Sequence, residues 1–330
     1  MIKFIIKIII IIAIILGIGF YFLNRSEEPE QVEYGVTFSQ KYAKELGLNW
    51  KETYLALLDD LQIKKLRLIA YWDKIEPENN KFDFTDLDWQ IAQAEEHNAE
   101  VILAIGYKLP RWPECHIPNW VELDQKKRPN QNDLLDMVEQ VVKHYKDQNA
   151  ITIWQIENEP FINFGECPPV SNELLDQEIY LTKAFSQKPV MITDSGELSL
   201  WYRASERSDI FGTTLYRKVY NNWIGYISYP IPSWWYKLRA KIVRWIMRTP
   251  VIVSEMQAEP WTKHRPPNTP LEEQFKTMNP EIFQDIINYE KKTGIDIVYL
   301  WGAEWWYWMR ENKEQDDMWE AVKLLMINDK

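Results

Sequence analysis

Eight short runs rich in Val, Ile and Leu, separated by stretches of helical periodicity, constrain this chain more than any other feature. The runs are Tyr34–Thr37, Lys65–Ile69, Glu100–Ile105, Ile151–Gln155, Pro189–Thr193, Ile210–Leu215, Pro250–Ser254 and Asp296–Trp301. They show little polar alternation, as parallel strands buried on both faces do. Between them lie amphipathic stripes, such as Trp50, Tyr54, Leu57, Leu58 and Leu61, or Leu134, Val138, Val141, Val142 and Tyr145. Thr85 with Asp88 marks a helix start and His97-Asn98 a helix end. Asn279-Pro280 opens another helix and Gly294 closes it. Eight strands alternating with helices over about 300 residues predict a (β/α)8 barrel. An open doubly wound sheet would carry a Gly-rich phosphate loop after an early strand, and this chain has eleven glycines and no such loop.

The N-terminus carries a different signal. Ile8 to Leu23 is almost wholly apolar, with Lys3 and Lys7 before it and Glu27, Glu28 and Glu30 after it. That length crosses a bilayer as a helix, and the charges put the N-terminus inside. A cleaved signal peptide competes, but the bulky Phe20-Tyr21-Phe22-Leu23 offers no small-x-small site. The expected organisation is a transmembrane signal anchor over 1–25, a polar tether over 26–33 and a barrel over 34–330. The barrel would then lie outside a cell membrane crossed once.

In such a barrel, chemistry sits at the carboxyl ends of the strands. After the fourth run comes Trp154-Gln155-Ile156-Glu157-Asn158-Glu159-Pro160, and at the end of the seventh comes Val253-Ser254-Glu255. Two carboxyls facing across a cleft suit glycoside cleavage, where one protonates the leaving oxygen and the other attacks or activates water. Seventeen tryptophans fit a sugar-binding cleft, because the indole face is apolar and its rim donates a hydrogen bond. A formal net charge of -11 disfavours nucleic acid as a partner. Four scattered His and two Cys show no ligand spacing, so neither a metal nor another cofactor is expected.

Asn158-Glu159-Pro160 after strand four, paired with Glu255 on strand seven, resembles the retaining glycoside hydrolases of clan A, the family 5 cellulase-like group among them. Tyr71-Trp72-Asp73-Lys74-Ile75-Glu76-Pro77 and Lys81-Phe82-Asp83-Phe84 share the likeness, which runs from about Tyr34 to Asn328. The resemblance implies Glu159 as acid/base and Glu255 as nucleophile. It implies Asn158 as the partner of a sugar 2-hydroxyl and Arg67 as the arginine beneath the nucleophile. Tyr216 would hydrogen-bond the nucleophile. Trp301 would floor the sugar site, with a cis peptide to Gly302. The run Glu255-Met256-Gln257-Ala258-Glu259-Pro260-Trp261 departs from the family, whose nucleophile is followed by an aromatic and a glycine. Glu259 is therefore a rival nucleophile that lies far past the strand. Glu157 reads as structural, although alternation along an extended segment would set it on the same side as Glu159.

The likeness leaves three readings. The first is a retaining β-glycosidase, the second a transglycosylase using the same residues, and the third a catalytically silent, membrane-tethered sugar binder. The sugar and the oligomeric state stay open. Cys115 and Cys167 follow strands three and four, so neighbouring loops can bring them together as a disulfide outside the cell, with free thiols as the alternative. The basic, aromatic stretch Ser233–Arg248 reads as the sixth barrel helix. A second reading has its end touch anionic lipid.

Overall fold

A computed structural model describes residues 31–328, together with Gly17 and Pro29. The expected anchor, apart from Gly17, and half of the tether fall outside the described residues. Among the described residues no helix is long and apolar enough to cross a membrane.

Each apolar run forms a strand: β1 Glu33–Thr37, β2 Lys65–Ile69, β3 Glu100–Ile105, β4 Ile151–Ile156, β5 Val190–Asp194 and β6 Ile210–Leu215, then β9 Val251–Gln257 and β10 Ile297–Trp301. These eight close into a parallel barrel in the order β1-β10-β9-β6-β5-β4-β3-β2. Pro189 and Pro250 fall just outside the strands they were expected to open. A proline has no N–H for the ladder, yet both carbonyls still accept, from Trp154 (3.0 Å) and Phe211 (2.9 Å).

Between β6 and the next helix the chain inserts an antiparallel hairpin, β7 Lys218–Asn221 with β8 Gly225–Ser228. Its four-residue strands are too short for an alternation signal, and the sequence reading missed it.

The helices form where the stripes lie. Gln131–Tyr145 buries Leu134, Met137, Val138, Val141, Val142 and Tyr145, spaced three and four apart, and Asn130 caps its start by accepting from the Asn132 N–H. Pro280–Lys291 starts on Asn279, whose side chain accepts from the Ile282 N–H. Inside the barrel, Ile102, Met191, Ile252 and Tyr299 form their own apolar cluster, with Ile153, Ile210 and Ile297 against it. This plug fills the barrel below the carboxyl ends of the strands, where the polar residues gather.

The basic stretch is indeed the helix after β6, over Ser233–Ile242, but Val243–Met247 continues it as a π-helical turn. Two of its arginines are engaged by backbone carbonyls, while Arg248 is exposed. Arg239 donates to the carbonyls of Ser199 (2.9 Å) and Gly196 (2.6 Å), and Arg244 to those of Gly294 and Val251.

Candidate active site

Glu159 and Glu255 line one cavity of about 590 Å³ at the carboxyl end of the barrel. Each is aimed there by a local departure from regular geometry.

Glu255 lies inside β9. Val253 pairs with Thr213 of β6 and Glu255 with Thr214, so β9 carries one extra residue, Ser254. The same slip appears against β10, where Val253 pairs with Val298 and Met256 with Leu300. Side chains alternate along a strand, and a bulge resets that alternation. Ile252 joins the cluster inside the barrel and Val253 the core outside it. Without the bulge Glu255 would follow Val253 toward the helices; with it, Glu255 points into the cavity.

Glu255 receives two donors. Arg67 Nη1 lies 2.8 Å from Oε1 and the Tyr216 hydroxyl 3.0 Å from Oε2. Both oxygens accept, which a carboxylate does and a protonated acid does only in part. Arg67 is fully buried. Its Nε donates to Gln155 Oε1 (2.7 Å) and its Nη2 to Asn158 Oδ1 (2.7 Å). Arg67 therefore sits behind the site and positions Glu255 and Asn158, rather than contacting a ligand itself. The Asn158 amide nitrogen is buried with no hydrogen-bond partner, which leaves it a donor in reserve.

Glu159 ends a turn that sequence alternation did not foresee. Glu157 and Glu159 take φ of 57° and 43°, a left-handed conformation that costs a non-glycine residue about 1–3 kcal/mol. Backbone hydrogen bonds hold the turn: Glu157 N–H to Ile105 O (2.9 Å), Asn158 N–H to Lys108 O (2.6 Å) and Glu159 N–H to Thr193 Oγ1 (2.9 Å). Burial pushes the Glu159 carboxyl well above its ordinary range, and the charges of Glu255 and Glu114 push the same way.

The turn parts Glu157 from Glu159. The Glu157 carboxylate accepts from the Tyr107 (3.0 Å) and Lys108 (2.6 Å) N–H groups. It lies against Gly106, where an added Cβ would stand 2.4 Å from its Cδ. Its other neighbour is Glu178, on the helix Asn172–Phe185. This is a structural setting, with a pH consequence. Burial raises both Glu157 and Glu178, and the charge and hydrogen bond of Glu157 raise Glu178 further, so the folded pair holds a proton that the unfolded chain releases. That contribution is complete below the ordinary carboxyl range and is lost as pH rises from there through the raised pKa values of the pair. Thermal unfolding midpoints are expected to fall across that interval, and Glu157→Gln to flatten the fall; an unaltered slope would contradict this.

Trp301 ends β10 and lines the cavity, but it is only 8% exposed. The Arg111 guanidinium lies 4.0 Å from one Trp301 ring centroid and 4.2 Å from the Tyr42 ring. Arg111 is ion-paired to Glu304 (2.5 Å) and to Glu259. The expected sugar floor is therefore partly covered by a cation, and the rival Glu259 is engaged as that cation's counter-ion. The expected cis peptide is also corrected. Among the described residues the cis bond is Trp112-Pro113. Gly302 instead turns the chain with φ of 148°, and an added Cβ there would stand 2.8 Å from the Ala258 carbonyl oxygen.

Cys115 and Cys167 are joined as a disulfide, Cα to Cα 4.9 Å, between the loops after β3 and β4. Sequence reasoning missed the charged groups on the first of these loops. Lys108 Nζ pairs with Glu114 (3.0 Å) and donates to the Asn158 carbonyl (3.2 Å). Burial, reinforced by the charge of Glu255, raises Glu114 to about 7 although Lys108 opposes it. The loop has no periodicity, so nothing in the sequence marked these residues. Among the described residues no three His, Cys, Asp or Glu side chains converge as a metal site would.

A beta-galactosidase family model, glycoside hydrolase 42, matches residues 49–171, which is less than half of the chain. Beta-galactosidase LacZ of Lactobacillus acidophilus is 26% identical over 107 residues, 28% of this chain and 16% of that protein. The solved beta-galactosidase of the Antarctic haloarchaeon Halorubrum lacusprofundi has a TM-score of 0.56 at 15% identity, covering 81% of this chain and 52% of that one. Xylanase 10B of Thermotoga maritima has a TM-score of 0.58 at 14% identity, covering 90% of this chain and 95% of the xylanase. The chain thus spans about half the length of the haloarchaeal protein and far less of the Lactobacillus one. At these identities the structural likeness is one of fold. The chain resembles the clan A glycoside hydrolases: the family model matched in sequence is the beta-galactosidase one, and the family 5 likeness fits the same clan, GH5_18 of Bifidobacterium longum sharing the fold with a TM-score of 0.58 at 12% identity, covering 82% of this chain and 70% of that one.

Proposed function

We propose that this chain is a retaining β-glycoside hydrolase in which Glu159 is the acid/base and Glu255 the nucleophile. One observation carries the reading: two buried carboxyls share a cavity in opposite settings. Glu255 accepts from Arg67 and Tyr216, whereas burial and neighbouring charge favour the protonated form of Glu159. That division of states is what double displacement needs. Glu159 gives its proton to the glycosidic oxygen as that oxygen leaves with the bonding pair, while a Glu255 oxygen bonds to the anomeric carbon. Water, deprotonated by Glu159, then attacks the same carbon and frees Glu255. Asn158 Nδ2, unpartnered and buried, is the donor proposed for the sugar 2-hydroxyl.

The same proposal places the barrel outside a membrane, tethered through the apolar run Ile8–Leu23. Extraction of the full chain by detergent but not by alkaline wash would support the tether, and release by alkali would sink it.

The test is hydrolysis of a panel of aryl β-glycosides and β-linked polysaccharides by the full chain. Turnover is expected on at least one member. Because Glu159 must be protonated to act, kcat/KM is expected to fall as pH rises through its raised pKa. Glu159→Gln should remove that alkaline limb and cost about 10²–10⁴-fold in kcat/KM where the leaving group is poor. Sugar binding without turnover on any member would move the reading to a binding protein.

A further inference from the structure

The loops after β3 and β4 are fastened at more than the disulfide. The Glu166 N–H donates to the Pro113 carbonyl (2.9 Å). Gly165, at φ of 81°, lies so close to the other loop that an added Cβ would stand 2.6 Å from that carbonyl oxygen and 2.7 Å from Glu114 Cβ. Beside these fastenings each loop sends one aromatic ring to the cavity wall, Trp112 from the first and Phe164 from the second. Their centroids are 6.3 Å apart at 72°. Phe164 then meets Trp261 at 5.9 Å, Trp261 meets Tyr216 at 4.9 Å, and the Tyr216 hydroxyl donates to Glu255. A row of four rings therefore runs from the nucleophile to the rim of the cavity.

The outer end of the row is not core. Trp112 is 50% exposed, so packing does not account for a large apolar ring held in place there. Bond cleavage does not account for it either, because neither Trp112 nor Phe164 carries a group that moves a proton or attacks carbon. Phe164 stands on the same loop as Glu159, five positions on. The acid protonates the oxygen that departs, so the departing group lies on the acid's side of the cleaved bond. An aromatic face covers the apolar face of a sugar ring, and a platform fixed before binding loses less freedom when a ligand arrives.

We propose that the stapled loop pair forms a platform on which Phe164 and Trp112 hold the leaving-group sugar, so that the substrate class is a β-linked oligo- or polysaccharide rather than the glycoside of a small alcohol. This rests on the hydrolase reading above. The disulfide acts in it as a positioning device, since it touches no reacting atom.

The experiment compares kcat/KM on the β-glycosyl fluoride, whose leaving group has no ring to stack, with that on unmodified β-linked di- and trisaccharides of the same sugar. The proteins are the full chain and its Trp112→Ala, Phe164→Ala and Cys115→Ser/Cys167→Ser variants, each checked for folding by circular dichroism. The ratio of oligosaccharide to glycosyl-fluoride kcat/KM is expected to fall about tenfold in each ring variant, mainly through KM. In the cysteine variant the ratio should fall in the same direction. Equal losses on both substrate types would overturn the platform. A second measurement does not depend on turnover. Calorimetric titration of β-linked trisaccharides into Glu255→Ala protein should show binding that weakens about tenfold when Trp112→Ala is added; unaltered affinity would overturn the proposal. Trp112-dependent binding by a chain that hydrolyses nothing would retire the hydrolase reading, and the leaving-group assignment with it.

Discussion

Glu255→Ala is expected to lose turnover on every accepted β-glycoside by on the order of 10,000-fold or more, while sugar binding survives. The size of the loss follows from the role. A nucleophile that forms the covalent intermediate has no substitute within the double-displacement route. Glu259, the rival carboxylate on the same segment, lies beyond the end of β9 and is held by Arg111, without the Arg67 and Tyr216 donors that orient Glu255. Glu259→Ala is accordingly expected to leave far more residual turnover than Glu255→Ala. Steady-state kinetics of the two variants would show this, and the reverse ranking would move the nucleophile to Glu259.

The second large effect is on stability. Arg67 is fully buried and donates to three acceptors: Glu255, Gln155 and Asn158. Arg67→Ala would leave a buried carboxylate without its counter-charge and the Gln155 Oε1 acceptor without a donor, while Asn158 Oδ1 keeps only longer bonds from Gln155 and Thr193. Removing one member of a buried pair typically costs about 3–5 kcal/mol, which lowers the unfolding midpoint of a chain this size by on the order of 10 °C. The physical claim is that most of this cost is the stranded charge of Glu255. Arg67→Ala combined with Glu255→Gln should therefore be more stable than Arg67→Ala alone. Thermal unfolding of Arg67→Ala, Glu255→Gln and the double variant decides it. Losses that simply add would mean that the arginine stabilises the barrel through packing instead.

The barrel was legible because its signal is repeated. Eight runs buried on both faces, alternating with stretches of helical spacing, leave few other ways to pack. The strand positions of Glu159 and Glu255 followed from that repetition. Their aim did not. Glu255 faces the cavity because Ser254 is an extra residue in β9, and no glycine or proline announces that bulge. Glu157 and Glu159 part company because both take positive φ, which alternation along an extended strand cannot express. Arg111, Lys108 and Glu114 reach the site from a long loop without periodicity, so only tertiary structure collects them. Arg111 also illustrates how a residue assignment can be right in place and incomplete in surroundings. Trp301 does line the cavity, yet a guanidinium that the sequence did not connect to it lies over its ring.

Double displacement makes one demand that simple sugar binding and inverting hydrolysis do not share: the product leaves with the anomeric configuration of the substrate. The most direct test is proton NMR of the first sugar released from a β-glycoside that the panel identifies, recorded before mutarotation. The account predicts the β-anomer first, with the α-anomer growing in later. The α-anomer appearing first would mean single displacement by water, and would contradict Glu255 as the nucleophile.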